Sequence, residues 1–205
     1  MITQQHIDKG ISFEAYHQLY QEQVANGQTS GLDQSEGLIA YTKLNFSRLK
    51  RSYKTTEIAN ETKAMLEKIS TPLTWLVLTE TWCGDAAQNI PVLAKMAELN
   101  PAISLKLIFR DENPEVMDNF LTNGSKSIPK LICVNENLEV LGTWGPRPAA
   151  IQSWFVEEKN KPTTDMDQLK IDLQQKYNAD KGQGLQSELM ELLQQWQSKK
   201  MTTAV

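Results

Sequence analysis

Leu73–Thr79, LTWLVLT, is a nearly unbroken apolar run of strand length. That is the pattern of a strand covered on both faces of its sheet, so the chain must supply layers on either side of it. Directly afterwards the spacing changes. Ala87, Ile90, Leu93, Ala94 and Ala97 fall at helical intervals, which predicts a helix over Gly84–Leu99, kinked where Pro91 lacks an N–H. The pattern then predicts a strand, Ile103–Arg110, a short helix, Pro114–Leu121, and a strand, Pro129–Val134. The turn Asn135-Glu136-Asn137 joins that strand to Leu138–Trp144 in an antiparallel hairpin, and a helix over Ala149–Glu158 follows. The order βαβαββα predicts an α/β fold, a mixed sheet flanked by helices on both faces. Its parallel strands should end at Thr79 and Arg110 on one rim, where reacting groups collect.

Helical extensions are expected on both sides of this core. Upstream, apolar residues at helical spacing (Phe13, Tyr16, Leu19, Tyr20; Leu38, Tyr41, Leu44, Leu49; Ile58, Met65, Leu66, Ile69) predict three helices between Ser12 and Ile69, the first ending at Asn26-Gly27. The basic run Arg48, Lys50, Arg51 and Lys54 reads as a solvated helix end. Downstream, two polar helices, Met166–Tyr177 and Leu185–Ser198, carry an apolar stripe that includes Leu169, Leu173, Leu189, Leu193 and Trp196. We therefore divide the chain into an N-terminal helical extension (1–70), a core (71–160) and a C-terminal helical extension (161–205), forming one compact unit.

Composition narrows the function. With 21 basic and 25 acidic residues, a net charge of −4 and no basic cluster of the nucleic-acid-binding kind, a nucleic-acid partner is not expected. The N-terminal stretch has no apolar signal-like core and no apolar run reaches membrane-spanning length, so the expectation is a cytoplasmic protein without a membrane partner. His6 and His17 lie far from Cys83 and Cys133 in sequence; no metal site and no cofactor is expected. Two cysteines are too few for a disulfide scaffold and suit a reducing compartment.

The chemistry gathers at Thr79–Gln88, TETWCGDAAQ, where Cys83 should sit at a strand-to-helix turn. Four features occur together: Trp82-Cys83-Gly84, Pro91 in the following helix, Ser127-Ile128-Pro129, and Gly142–Gly145 after the last hairpin strand. With these, Leu73–Glu158 resembles the thioredoxin family. The resemblance implies the active-site turn at Trp82-Cys83-Gly84 and the cis-proline loop at Pro129. The departures are equally informative: Ala86 stands where the family has its resolving cysteine, Asp85 replaces the usual proline, and Val77 occupies the place of a buried acid that serves the second thiol.

A cysteine at the first turn of a helix faces free N–H groups that favour its thiolate. Glu80 and Asp85 oppose this, and Arg110, Lys126 or Lys130 are candidates to neutralise them. The expectation is an exposed Cys83 thiol with a modestly lowered pKa. Cys133 lies four residues along an extended strand from Pro129, about 13 Å away, beyond the roughly 7 Å Cα separation a disulfide spans; it reads as a core residue. What the resemblance implies is single-cysteine thiol–disulfide exchange through Cys83, with protein or small-molecule thiols and disulfides as partners and an external thiol as resolver. Trp82, Gly84, Asp85, Ile128 and Pro129 are the substrate-binding candidates, with Glu80, Arg110 and Lys130 tuning the charge. Trp144 and Arg147 should line the same rim without chemistry of their own. The alternative is a non-catalytic binding module whose cleft beside Pro129 grips an extended segment.

Overall fold

The computed structural model describes residues 1–202, with side chains described through Trp196. Four strands, β1 (Leu73–Thr79), β2 (Ile103–Phe109), β3 (Lys130–Asn135) and β4 (Val140–Trp144), form one sheet in the order β2-β1-β3-β4. β1 runs parallel to β2 and antiparallel to β3, and β3 and β4 form the antiparallel hairpin. The apolar character of β1 has its expected cause: Trp75, Leu76, Val77 and Leu78 are all fully buried although successive residues point to opposite faces. The sheet is therefore covered on both sides.

Among the described residues, nine helices surround it: α1 (Gln4–Lys9), α2 (Phe13–Asn26), α3 (Glu36–Thr55), α4 (Asn60–Leu66), α5 (Gly84–Ala97), α6 (Pro114–Met117), α7 (Ala149–Lys159), α8 (Met166–Asp180) and α9 (Gln183–Thr202). The three upstream helices read from the sequence correspond to α2, α3 and α4. α2 ends at Asn26 because Gly27 adopts a left-handed conformation, φ 63°, and closes the helix through its N–H. Helix α1 lies ahead of them, and behind it Ile11 exchanges two backbone hydrogen bonds with Leu107. This covers the outer edge of β2, whose unpaired backbone groups would otherwise face water.

Two elements are shorter than their apolar patterns. α6 stops at Met117, where the chain tightens through Asn119 N–H to Val116 and Phe120 N–H to Met117. β4 begins at Val140 because the Asn135 side chain accepts from the N–H groups of Asn137 and Glu139 and holds Leu138 in the turn at φ 62°.

The main core continues into both extensions. Tyr16, Tyr20 and Leu49 from upstream, and Leu185, Leu189, Leu193 and Trp196 from downstream, join the sheet residues in one cluster. Trp196 packs directly on the bare face of Gly142 in β4. By contrast, Ile151, Leu173 and Tyr177 form a small second cluster with Trp154 and Phe155, confined to α7 and α8. In the basic run on α3, Lys50, Arg51 and Lys54 are exposed, Arg51 also bonding Asn178 of α8, while Arg48 is half-buried, with its guanidinium bonded to Asn45 and facing Gly84.

Candidate functional site

Cys83 is the N-cap of α5, with extended backbone at φ −82° and ψ 116°. Its sulfur accepts the Ala86 N–H at 3.5 Å and donates its proton to the Ile128 carbonyl at 3.4 Å. The Ile128–Pro129 peptide is cis, as is Gly145–Pro146. The two loops touch: at Gly145, with φ 115°, a side chain would run into the Pro129 carbonyl. The sequence motifs thus converge on one corner, at the end of β1 and beside the start of β3.

The thiol itself departs from expectation. Cys83 is buried, only 7% exposed. Burial pushes its pKa up to about 12, with the charge of Asp85 as the next cause; the N–H groups of Ala86 and Asp85 and the charge of Arg147 pull the other way. The expected exposed thiol with a lowered pKa is therefore corrected: desolvation outweighs the helix start. Cys133 is also buried and also pushed to about 12 by burial. Both cysteines are free thiols, and Cys133 sits in the middle of β3 opposite Trp75.

The charges around Cys83 are arranged by residues far away in sequence. Asp85 is buried and takes two bonds from Arg147, Nε to Oδ1 at 2.9 Å and Nη2 to Oδ2 at 2.7 Å. The Tyr177 hydroxyl of α8 donates to Oδ1 at 2.7 Å, and Asn89, one turn after Asp85, donates to Tyr177. Arg147 is in turn bonded to Gln152 and stacked over the Phe155 ring at 4.1 Å. Asp85 is neutralised by Arg147, not by Arg110 or Lys130. Arg110 pairs with Asp111 and stacks over Trp82 at 4.9 Å. Lys130 is buried, bonded to Thr122, and its pKa is lowered by that burial.

Glu80 belongs to a different network. Fully buried, it accepts from the Ser30 hydroxyl and from the Asp111 N–H at 2.9 Å. Burial raises its pKa, while those two bonds and the charge of Arg110 counteract the rise. Ser30 also bonds Thr81 in both directions, from Ser30 N–H to the Thr81 hydroxyl and from Thr81 N–H to the Ser30 hydroxyl. The loop after α2 is thereby fastened to the strand end that carries the cysteine. Tyr20 donates to the Thr81 carbonyl, and Asn45 of α3 donates to the Trp82 carbonyl at 2.8 Å.

Trp82 is half-buried and presents part of its ring beside Arg110, at the edge of the Ile128–Pro129 loop that Lys126 and Ser127 lead into. Trp144 is buried, its indole N–H donating to Glu188 of α9. Of the residues that organise the site, Tyr177, Asn89, Asn45, Arg48 and Ser30 carry no local motif. Asp85 and Asn89 at i and i+4 were the one visible hint of a shared helix face. Among the described residues, no group of three or more His, Cys, Asp or Glu is placed to hold a metal ion, and no helix is long and apolar enough to cross a membrane.

Comparison with known proteins adds a family. A family model described as Thioredoxin matches residues 31–167. A Streptomyces coelicolor protein named "Putative thioredoxin 2" is 33% identical over 89 residues, which span 43% of this chain and 63% of that protein; this chain thus covers less than two thirds of the relative's length. A crystal structure of a protein of unknown function from Pseudomonas aeruginosa superposes with a TM-score of 0.64 at 18% identity, covering 95% of this chain and 98% of the other. An HIV epitope-scaffold structure matches with a TM-score of 0.62 at 17% identity, covering 93% and 96% of the two chains. At such identities the two structures speak for the fold, extensions included.

Proposed function

The chain belongs to the thioredoxin family, and from that premise we propose that Cys83 performs thiol–disulfide exchange as a single cysteine, with an external thiol completing the cycle. The position of its sulfur carries this reading: Sγ lies at the start of α5, 3.4 Å from the carbonyl that precedes Pro129. In the exchange, the Cys83 thiolate attacks one sulfur of a disulfide R–S–S–R′, forming Cys83–S–S–R and releasing R′–S⁻. An external thiolate R″–S⁻ then attacks the R sulfur, giving R–S–S–R″ and returning the Cys83 thiolate. Electrons balance without another oxidant or cofactor. Ala86 leaves the mixed disulfide without a neighbouring thiol to resolve it, which is why the second thiol must come from outside.

In this reading the half-buried Trp82 and Gly84 meet a protein or small-molecule disulfide, beside the backbone of the buried Ile128 and Pro129. A segment in extended conformation would lie along the Ile128–Pro129 backbone, in the manner of strand addition. Asp85 organises Arg147 beside the sulfur instead of touching substrate, and Glu80 and Lys130 are structural. Residues 71–160 act as the thioredoxin-like core, with 1–70 and 161–205 as extensions, in the cytoplasm. The test is reduction of bis(2-hydroxyethyl) disulfide with glutathione as the external thiol. Turnover that vanishes in Cys83→Ser and persists in Cys133→Ala supports exchange; equal turnover in Cys83→Ser and wild type excludes it.

One observation favours a second reading. A buried thiol pushed up to about 12 stays protonated at neutral pH, as suits a non-catalytic module in which the surface beside Pro129 holds an extended segment. An inactive wild type whose partner binding is unchanged by Cys83→Ser would select it.

A further inference from the structure

We propose that α7 and α8 form a hinged flap that closes over the start of α5 and governs access to Cys83. The inference concerns regulation of the site and rests on the reading above only in taking Cys83 as the group to be reached. Both ends of the flap have joints. Pro146-Arg147-Pro148 precedes α7, and α8 ends in two consecutive left-handed residues, Lys181 at φ 54° and Gly182 at φ 79°.

The apolar contacts of the flap are largely its own. Ile151, Leu173 and Tyr177 pack with Trp154 and Phe155 in a cluster separate from the main core, whereas the next helix, α9, is embedded in that core through Leu185, Leu189, Leu193 and Trp196. The flap can therefore leave as a unit without opening the sheet.

What ties the flap to the body is polar; Arg51 of α3 bonds Asn178 and the Ala149 N–H donates to Glu188 of α9, and the remaining ties gather on one place. The Tyr177 hydroxyl donates to Asp85 at 2.7 Å, and Gln88 donates to Gln174 at 2.8 Å. The Gln174 amide nitrogen stands 3.4 Å from where a side chain on Gly84 would begin. Arg147 bonds Asp85 while its other contacts, Gln152 and Phe155, are on α7. These remaining ties fall on residues 84 to 88, the turn that follows Cys83. Polar contacts of this kind are exchanged for water at small net cost, whereas buried apolar surface is not. Segments held this way open locally, at free energies below that of global unfolding. Opening would hydrate the start of α5 and remove the burial that keeps the Cys83 thiol protonated.

Iodoacetamide labelling of the full chain, read separately at Cys83 and Cys133 by mass spectrometry, tests this. Cys133 lies in the centre of the sheet and reports global opening. The expected result is that Cys83 is labelled at least about tenfold faster than Cys133. Tyr177→Phe should raise the Cys83 rate by about a further tenfold, and Gln174→Ala by about threefold, with the Cys133 rate unchanged in both. The Cys133 rate also shows whether each variant keeps its fold. Equal rates at the two cysteines with the same urea dependence would overturn the proposal. So would variants that move both rates together, or that leave Cys83 unmoved. Labelling reads the access and ionisation of the thiol and not turnover, so a flap that opens on a protein inactive in disulfide exchange would sink the function and spare the flap.

Discussion

Arg147 grips Asp85 with two nitrogens, Nε at 2.9 Å from Oδ1 and Nη2 at 2.7 Å from Oδ2, and both side chains are at least 85% buried. Such a pair contributes little relative to an apolar pair of the same shape, but breaking it strands a charge. Arg147→Met should therefore destabilise the protein by about 3–5 kcal/mol. The double variant Asp85→Leu with Arg147→Met should recover most of that loss, since it leaves no uncompensated charge. Urea unfolding of the two single variants and the double variant measures the coupling; simple additivity would contradict this account.

The thiols set an alkaline limit. Cys83 and Cys133 are both pushed from an ordinary value near 9 up to about 12. A raised acid favours the protonated form in the native state, so its stabilisation is complete below about pH 9 and is lost as pH rises towards 12. From pH 9 to 10 the unfolded thiols ionise while the native ones do not, which costs about 1 kcal/mol per thiol. The two thiols together are expected to contribute about 2 kcal/mol of the loss across that step, on top of what the buried Tyr16, Tyr20 and Tyr177 hydroxyls add, and Cys83→Ala should lose about 1 kcal/mol less than wild type. Urea midpoints at the two pH values, with unchanged m-values, provide the measurement. An identical loss in wild type and variant would show that Cys83 is not shielded.

The sequence made the sheet legible because its central strand is apolar at every inward position and the helix after Cys83 begins at a sharp change of period. It made the meeting of Cys83 with Pro129 legible through the family motif. It did not show that Cys83 is buried. Cys83 packs into the main core, and the turn around it is closed by α3 and α8, whose Asn45, Gln174 and Tyr177, meeting Trp82, Gly84 and Asp85, stand 38 residues before and some 90 residues after the cysteine. Nor did it show the counter-charge. Of the candidates Arg110, Lys126 and Lys130, Arg110 ends the neighbouring strand, yet its guanidinium lies on Trp82 and Asp111, while Arg147 enters from the loop after β4. Helix α1 escaped notice because six residues with Ile7 as their buried aliphatic side chain carry no apolar stripe. Long-range polar contacts leave no periodic trace.

Glu80 offers an acid-side counterpart. Its pKa is raised by burial, so the native state favours the protonated form, and stability falls as pH climbs from the ordinary carboxylate range through the raised value. Glu80→Gln retains an oxygen to accept the Asp111 N–H and an amide to meet the Ser30 hydroxyl. The variant is expected to match or exceed wild type at pH 7 and to show a flatter profile above about pH 4.5. Thermal unfolding from pH 4 to 8 decides it; a variant that loses stability at pH 7 would mean that the bonds to Ser30 and Asp111 require the charge.

Gly145 tests whether the two proline loops are a single mechanical unit. At φ 115° a side chain is strained, and here it would also collide with the Pro129 carbonyl. Gly145→Ala must therefore move the loop whose Ile128 carbonyl receives the Cys83 proton. The expected cost is about 2–4 kcal/mol, from backbone strain together with the displaced contact. Gly27 is the control, since it also has positive φ, 63°, but opens onto free space. Gly27→Ala should cost only about 1 kcal/mol. If Pro129 and Gly145 are coupled as drawn, Gly145→Ala will also change the rate at which Cys83 is alkylated while Gly27→Ala will not. Equal costs for the two glycines, with alkylation unaltered in both, would show that the loop beside the cysteine is positioned without Gly145.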